Sequence, residues 1–379
     1  MGSKRSTLRI VTLCLIILLS TMLILSACAA EPTSTPTPTP TPPTPEPMEL
    51  SCATITPPVG SSGEELNWWA EEVAKRTNGA VTIKVYWGGS LSNPMEMPEA
   101  IRMGTIDIAH LAWAAIHPQL IPLASITDSK VAGFRDKPLA QWMAMEALFK
   151  EFPEFDAELA ANNMMRLNYR GCGCVHLLSR KPLENLDDLK GLKIGTMGET
   201  NFALVKAVGA VPVYLSVEEI LDGLQKGVID ANMEAATHSI RFKRFEAASY
   251  FVNFHPAVLG GDPGFGNMMN LDLWNSLSPD VQQVFMELRE EYPMKFAEFD
   301  IIDTEGAYQD LKDNGIQVTE FPAAEIEKWT NLPVVETLKA DWINWAVQNT
   351  TLSEQRIREI VERRNQLIDE MEKTYPQSW

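Results

Sequence analysis

The sequence predicts an α/β protein in which two lobes of similar design follow a non-globular N-terminal segment. Strand-like and helix-like segments alternate along most of the chain, one short pattern occurs twice, and a long helical pattern comes after both copies. Alternation of this kind is typical of a mostly parallel sheet whose two faces are covered by helices. We therefore expect two sheets, one in each lobe.

The periodicity of apolar residues predicts the individual elements. In the helix predicted over 64–77, Leu66, Trp69 and Val73 recur at helical spacing, and Asn78-Gly79 stops it. The other elements predicted before residue 235 are strands at 49–56, 81–86, 193–196, 211–214 and 228–231, and helices at 96–103, 201–208 and 217–226.

The doubled pattern is a helix, a glycine, and then an Ile-Asp pair that opens a strand. It reads EAIRMGTIDIAHLAW over 99–113 and EILDGLQKGVIDANME over 219–234. Gly104 and Gly227 are expected to take the positive φ that ends a helix. Ligands of open α/β sheets bind outside the carboxyl ends of strands, which makes His110, Trp113, Asn232 and Glu234 candidate ligand-binding residues. The alternative is that helix-to-strand turns simply resemble one another.

The C-terminal third is mostly helical. A helix is predicted over 279–313 with a kink at Tyr292-Pro293, followed by a strand over 316–321 and amphipathic helices over 325–348 and 353–373. Arg364 interrupts the apolar seam of the last helix, which favours packing on a lobe over a coiled coil.

The N-terminus combines an export signal with a spacer. Lys4, Arg5 and Arg9 precede an apolar run that is short for a membrane span, and Leu25-Ser26-Ala27-Cys28 resembles a lipobox. Residues 31–47 alternate Thr and Pro and favour extended polyproline II, about 3.1 Å per residue. We expect residues 1–27 to be removed, Cys28 to be lipidated, and 28–47 to tether the folded part to the outer face of a membrane. The alternative is an uncleaved anchor.

Charge and cysteine content restrict the partners. The net charge of −18 becomes −21 once the three basic residues of the signal are removed, which argues against nucleic acid. Cys52, Cys172 and Cys174 would remain, an odd number that does not predict a disulfide framework. Cys172-Gly173-Cys174 could form a metal site or a strained vicinal disulfide, but small buried side chains are favoured over a metal site because only His176 is near.

Sequence motifs of catalysis are absent. The chain has no G-x-S-x-G, H-E-x-x-H, P-loop or G-x-G-x-x-G sequence, and its five histidines are scattered. We therefore expect no enzyme, cofactor or metal, although the residues of a dispersed catalytic triad can lie far apart in sequence.

From 182 to 234 the chain resembles the substrate-binding proteins of tripartite ATP-independent periplasmic (TRAP) transporters. The resemblance rests on the blocks DLKGLKI, LQKGVID and ExxxRTNG and covers most of 48–313. It implies the two-lobe periplasmic-binding-protein fold (type II-like), with crossing strands and a long spanning helix. The expected lobe I is 48–170 plus about 258–305, lobe II is 171–257 plus about 306–335, and the helices from about 336 to 379 pack on a lobe.

The resemblance also implies ligand-binding positions, and several depart from the family pattern. The family's clamp arginine after KGLK-I/V aligns with Gly195, its pocket asparagine with Glu234, and a frequently aromatic position with Val217. Arg170 is the nearest candidate for a second family arginine, either as a substitute clamp or as a surface residue. Trp113 is expected either to stack on the ligand or to lie in the core.

These observations together predict a lipid-anchored solute receptor that passes a small organic solute, an organic acid by resemblance, to a TRAP membrane permease. The alternatives are a ligand-loaded sensor subunit for a receptor kinase and, less favoured, a secreted hydrolase. The missing clamp at Gly195 predicts that simple dicarboxylates bind weakly.

Overall fold

The computed structural model describes residues 47–128, 135, 137–171, 175–254 and 264–377. Lobe I is built on a five-stranded sheet with the order β2-β1-β3-β10-β4. Its strands are β1 Met48–Thr54, β2 Val81–Tyr86, β3 Ile108–Ala112, β4 Met164–Arg166 and β10 Phe265–Asn270.

Lobe II contains a six-stranded sheet with the order β11-β9-β5-β8-β6-β7. Its strands are β5 His176–Ser179, β6 Lys193–Gly195, β7 Val211–Val213, β8 Ala231–Glu234, β9 Tyr250–Asn253 and β11 Gln317–Glu320.

The helices cover both sheets. They are α1 Gly60–Arg76, α2 Met97–Arg102, α3 Trp113–Ile116, α4 Pro138–Glu151, α5 Glu154–Ala160, α6 Glu199–Ala207, α7 Ile220–Lys226, α8 Ala236–Arg241, α9 Leu271–Ser276, α10 Pro279–Asp313, α11 Ala323–Thr330, α12 Val334–Asn349 and α13 Glu354–Thr374. No helix in the described ranges is long and apolar enough to span a bilayer.

Apart from β11, the two sheets have the same order and the same strand directions. In lobe I, β1 runs parallel to β2 and β3, and β10 runs antiparallel to β3 and β4. In lobe II, β6 runs parallel to β7 and β8, and β5 runs antiparallel to β8 and β9. Strand β10 follows the lobe II strands β5–β9 in the chain, yet it pairs in the lobe I sheet between β3 and β4. The chain therefore crosses from lobe I to lobe II before β5 and returns to lobe I for β10.

The doubled Ile-Asp pattern explains part of this likeness. Gly104 and Gly227 have φ of 69° and 73°, as predicted. The Asp107 carboxylate accepts hydrogen bonds from Ser51 N and Ser51 Oγ, both at 2.7 Å, and the Asp230 carboxylate accepts one from Lys193 N at 3.0 Å. Each aspartate therefore joins its strand to the neighbouring parallel strand at the same place in the two sheets.

Helix α10 connects the lobes. Phe285 and Tyr292 pack in a core of lobe I, and Phe296 packs in a second core of the same lobe. Farther along, Ala307 and Leu311 pack in a core of lobe II. The helix has the predicted bounds and is continuous across Pro293.

Helix α12 also connects the lobes, which the sequence did not predict. The single helix expected over 325–348 is two helices, because Pro333 has no amide proton and begins a new one. Val335 packs with the lobe II core, whereas Ile343 and Ala346 pack with lobe I. Helix α13 then packs against α4 of lobe I through Ile357 and other apolar residues. The expected boundary near 336 therefore falls inside a helix that contacts both lobes.

Strand β8 begins later than predicted. Val228 N and Ile229 N both donate to the carbonyl oxygen of Gly223, at 2.8 and 3.2 Å. These bonds close the preceding helix, so the strand predicted over 228–231 instead covers Ala231–Glu234. This shift places Asn232 and Glu234 inside the strand.

Replacing Asp107 with alanine is expected to lower the free energy of unfolding by about 1–3 kcal/mol, because Ser51 loses the acceptor for two hydrogen bonds. Asp230→Ala should cost about 0.5–1.5 kcal/mol, since one bond is lost. Urea unfolding measures both. Asp313→Ala, at an exposed hydrogen-bond acceptor, is the control and should stay within about 0.5 kcal/mol of the parent. Equal losses in all three variants would contradict this role of the Ile-Asp pattern.

Candidate functional site

The candidate site consists of buried arginine–carboxylate pairs near the junction of the two lobes. Arg170 follows β4 and is 2% exposed. Its Nη2 lies 2.5 Å from Glu65 Oε1, and its Nε lies 3.1 Å from both oxygens of that carboxylate. The guanidinium also lies over the rings of Phe265 and Phe296, at 4.4 and 3.8 Å. Arg170 is thus not the surface residue that one sequence interpretation allowed.

A β-bulge directs Arg170 toward Glu65. Arg166 pairs with Met268, so a regular ladder would place Tyr169 opposite Phe265. Instead Arg170 pairs with Phe265, which leaves one extra residue in this strand. An extra residue exchanges the sides on which the following side chains lie. Sequence periodicity does not reveal such a bulge.

His110 lies beside the same carboxylate. It is completely buried in β3, its Nε2 is 3.5 Å from Glu65 Oε1, and its ring stacks on Phe265. Burial lowers the pKa of His110 well below its usual value, and the positive charge of Arg170 lowers it further. The neutral imidazole is therefore the expected form. His110 and Arg170, two candidates from the sequence, meet through Glu65.

Glu234 forms the corresponding cluster in lobe II. Its carboxylate accepts hydrogen bonds from Arg244 Nη1 and Ser239 Oγ, both at 2.5 Å, and from Asn232 Nδ2 at 2.8 Å. Burial raises the pKa of Glu234, and the positive charge of Arg244 opposes that effect. The sequence did not identify Arg244 as the partner that balances this acid.

Gly195 and Asn232 are register partners in β6 and β8. A Cβ atom at Gly195 would lie 2.3 Å from Asn232 Oδ1, so the asparagine side chain occupies the space where a side chain at 195 would begin. Val217 is 38% exposed, and its carbonyl oxygen accepts a bond from Arg244 Nη2 at 3.0 Å. The structure therefore brings Gly195, Asn232, Glu234 and Val217 together.

Trp113 belongs to the lobe I core. It is 2% exposed, and its Nε1 donates to the carbonyl oxygen of Gly266 at 3.0 Å. Its ring lines a cavity inside lobe I. Of the two sequence interpretations, the structure places Trp113 in the core.

A third arginine–carboxylate pair joins the lobes and was not predicted. Asp303 Oδ2 in α10 accepts hydrogen bonds from Ser61 N of lobe I at 3.0 Å and from Arg241 Nη2 of lobe II at 3.2 Å. Gly60 lies against Arg241, since a Cβ at position 60 would be 1.8 Å from its Nη2. In the sequence this joint is marked only by a glycine at a helix start, which is too common a feature to indicate a contact between lobes.

His238 lies among the positive charges of the three pairs. Burial lowers its pKa to about 3, and Arg241, Arg244 and Arg170 lower it in the same direction. Arg170 belongs to lobe I and the other two arginines to lobe II, so charges of both lobes lower the pKa of His238.

The cysteine predictions are only partly covered by the structure. Cys28, Cys172 and Cys174 lie outside the described residues, and Cys52 is buried as a free thiol in β1. Within the described ranges, no group of three or more His, Cys, Asp or Glu side chains could hold a metal ion.

Comparison with known proteins identifies the family. Residues 52–340 match the family model described as bacterial extracellular solute-binding protein, family 7. The chain belongs to this family. Family 7 comprises solute-binding proteins and is not an enzyme class, and the TRAP resemblance is thereby confirmed.

Individual relatives are distant. This family 7 protein is 27% identical over 199 residues to a solute-binding protein of Chromohalobacter salexigens, covering 52% of this chain and 58% of that protein. It is 26% identical over 266 residues to the C4-dicarboxylate-binding periplasmic protein of Rhodobacter capsulatus, covering 68% and 76%. A TRAP periplasmic solute-binding protein from Desulfovibrio salexigens with bound orotic acid superposes with a TM-score of 0.71 at 22% identity, over 84% of this chain and 99% of that one. The two-lobe α/β fold is confirmed.

His238 should make stability depend on pH. The unfolded imidazole has a pKa of about 6.5 and the folded one about 3, so acid protonates the unfolded state first. The stabilisation is complete above about pH 6.5 and falls as the pH drops toward 3, by about 1–2 kcal/mol at pH 5. Urea unfolding at pH 7.5 and 5.0 should therefore show a smaller acid loss in His238→Gln than in the parent. Identical losses in the two proteins would contradict this assignment.

Proposed function

We propose that this protein is an extracytoplasmic solute receptor that binds a small organic solute between its two lobes and delivers it to a TRAP-type membrane permease. The observation that supports this most is the pair of sheets with one shared order, whose corresponding edges each carry a buried charged cluster next to the lobe junction. Helices α10 and α12 connect the lobes, so the lobes can close on a solute while remaining joined.

The charge balance of the site indicates the class of solute. Arg170, Arg241 and Arg244 are each engaged by a carboxylate, from Glu65, Asp303 and Glu234 respectively. A carboxylate ligand would have to displace one of these internal acids to gain a bidentate contact. Position 195 carries no side chain that could supply another one.

The solute therefore differs from those of some relatives. The Rhodobacter capsulatus relative is named for C4-dicarboxylates, and the Desulfovibrio salexigens structure holds orotic acid. For this chain we propose a solute recognised mainly through hydroxyl, carbonyl or cationic groups, with at most one carboxylate. Buried polar groups left unpaired by a wrong ligand would provide the specificity.

We further propose that the folded part is tethered to the outer face of a membrane. This proposal rests on the basic and apolar N-terminal segment, the lipobox-like LSAC at 25–28, and the Thr-Pro spacer that follows. One acyl chain gives only marginal binding, so stable anchoring implies more than one chain at Cys28. A tethered receptor would stay close to the permease it serves.

Protein refolded without ligand should bind succinate and malate weakly or not at all. A buried arginine–carboxylate contact is typically worth about 2–5 kcal/mol, and no arginine of these three pairs is free of an acid to supply it. Isothermal calorimetry measures both acids. Mass spectrometry of the protein purified from its host should identify a bound solute, whose readdition should raise the melting temperature without being chemically altered.

Two outcomes would contradict these assignments. Micromolar binding of succinate or malate that is lost in Arg170→Ala would show that Arg170 leaves Glu65 and acts as a carboxylate clamp. Conversion of the solute into a product during incubation would replace the receptor assignment with an enzymatic one.

Lipidation is tested separately. The protein expressed in its native host should partition into the detergent phase of Triton X-114, and Cys28→Ser should leave it in the aqueous phase or uncleaved. Cys52→Ser is the matched control and should partition like the parent, because Cys52 lies in the folded part. An intact mass with an unmodified Cys28 would contradict the tether.

A further inference from the structure

Lobe I contains a cavity at the carboxyl ends of strands β3 and β4. The cavity has a volume of about 30 Å³ and is partly open rather than enclosed. It adjoins Trp113 after the end of β3, Phe265 at the start of β10, and Asn168 beyond the end of β4. Since β10 runs antiparallel to β3 and β4, its start lies beside the carboxyl ends of those two strands, and all three strands meet the cavity at the same end of the sheet. Ligands of open α/β sheets bind at the carboxyl ends of the strands.

The cavity wall is aromatic. Phe149, Phe155 and Tyr169 line it together with Trp113 and Phe265. Phe149 meets both Phe155 and Tyr169 edge to face, with ring centroids 4.9 and 5.5 Å apart. A wall of this kind favours a compact apolar group and penalises a polar group that lacks hydrogen-bond partners.

Two polar groups interrupt that wall. Arg166 is 4% exposed and Asn168 is completely buried, and both line the cavity. Within the described part of the chain, Arg166 Nε and Asn168 Nδ2 have no hydrogen-bond acceptor. A buried donor without an acceptor is destabilising, so two of them at one cavity favour a ligand that supplies an acceptor to both.

The remaining bonds of these two side chains fix where the donors are. Arg166 Nη1 donates to Glu146 Oε1 at 2.6 Å, and the guanidinium lies 4.2 Å from the ring centroid of Phe149. Asn168 Oδ1 accepts from Asn267 N and Asn267 Nδ2, at 3.0 and 3.1 Å. Because Asn168 Oδ1 is used in this way, Nδ2 is the donor that remains without an acceptor at this lining residue.

We infer that this cavity is a solute subsite that takes one neutral carbonyl group, whose oxygen accepts hydrogen bonds from Arg166 Nε and Asn168 Nδ2. A carbonyl oxygen has two lone pairs and matches two donors. Glu146 pairs with Arg166, so the charge of this guanidinium is already balanced, which favours a neutral acceptor over an anion at its Nε. The volume of roughly two water-sized spheres admits the carbonyl group of a solute and little more.

This inference depends on the proposed function only for the molecule that brings the carbonyl. Neither Arg166 nor Asn168 was among the binding residues predicted from the sequence. Trp113 then has a role after all, as a wall of the subsite rather than as an exposed stacking platform.

The test uses formamide and formate, which have the same size and shape and differ in charge. Crystals of the folded protein are soaked in increasing concentrations of each probe, and the occupancy at the cavity is refined. Formamide should bind with its oxygen within hydrogen-bond distance of Arg166 Nε and Asn168 Nδ2, and at least tenfold more tightly than formate. Equal or tighter formate binding would overturn the neutral-carbonyl assignment, and water alone at the highest formamide concentration would overturn the subsite.

A cavity-filling variant provides the second measurement. Ala124 lines the cavity, and Ala124→Leu should weaken formamide binding at least tenfold. Ala100→Leu, which adds the same atoms beside the lobe I core but outside the cavity, should leave the affinity unchanged. Equal binding to both variants would place formamide elsewhere and overturn the subsite. Formamide binding in a protein that retains no solute would separate failure of the receptor assignment from failure of the subsite.

Discussion

A guanidinium removed from water must have an acid beside it, and this constraint organises the junction of the lobes. Arg170 and Arg244 are each 2% exposed, and each lies 2.5 Å from a carboxylate oxygen of a buried glutamate. Deleting one member of such a pair typically costs about 3–5 kcal/mol, because the other charge stays buried without compensation. The pairs therefore hold the side chains in place more than they add net stability. Arg170, which the family resemblance suggested as a possible substitute clamp, is in this structure paired with Glu65.

Much of the fold was predictable because its signals are local. The periodicity of apolar residues located β2 and α10 with their observed bounds, and the repeated Gly-x-Ile-Asp placed two equivalent strands. The predicted bounds were wrong where one residue or one hydrogen bond determines where an element begins. Pro333 divides the helix expected over 325–348, and a carbonyl of the preceding helix delays the start of β8.

Less of the site was predictable because its contacts are distant in sequence. Sequence reasoning named Arg170 and Glu234, but Glu65 precedes Arg170 by 105 positions, and nothing in the sequence joins them. The bulge after β4 decides which side of the strand Arg170 takes, and it has no periodic signal. Arg241 and Asp303, which help to join the lobes, lie 62 positions apart, and charged residues of these types are common on any protein surface. Polar residues at strand ends could be named in advance, whereas their partners depend on the folded chain.

Helix α12 has a consequence for the modularity of the molecule. Its first turns complete the lobe II core and its later turns complete the lobe I core, although every described strand of the two sheets precedes it in the chain. A fragment that ends before Val334 would expose apolar surface on both lobes at once. Neither lobe core is therefore complete without residues that follow both sheets in the chain.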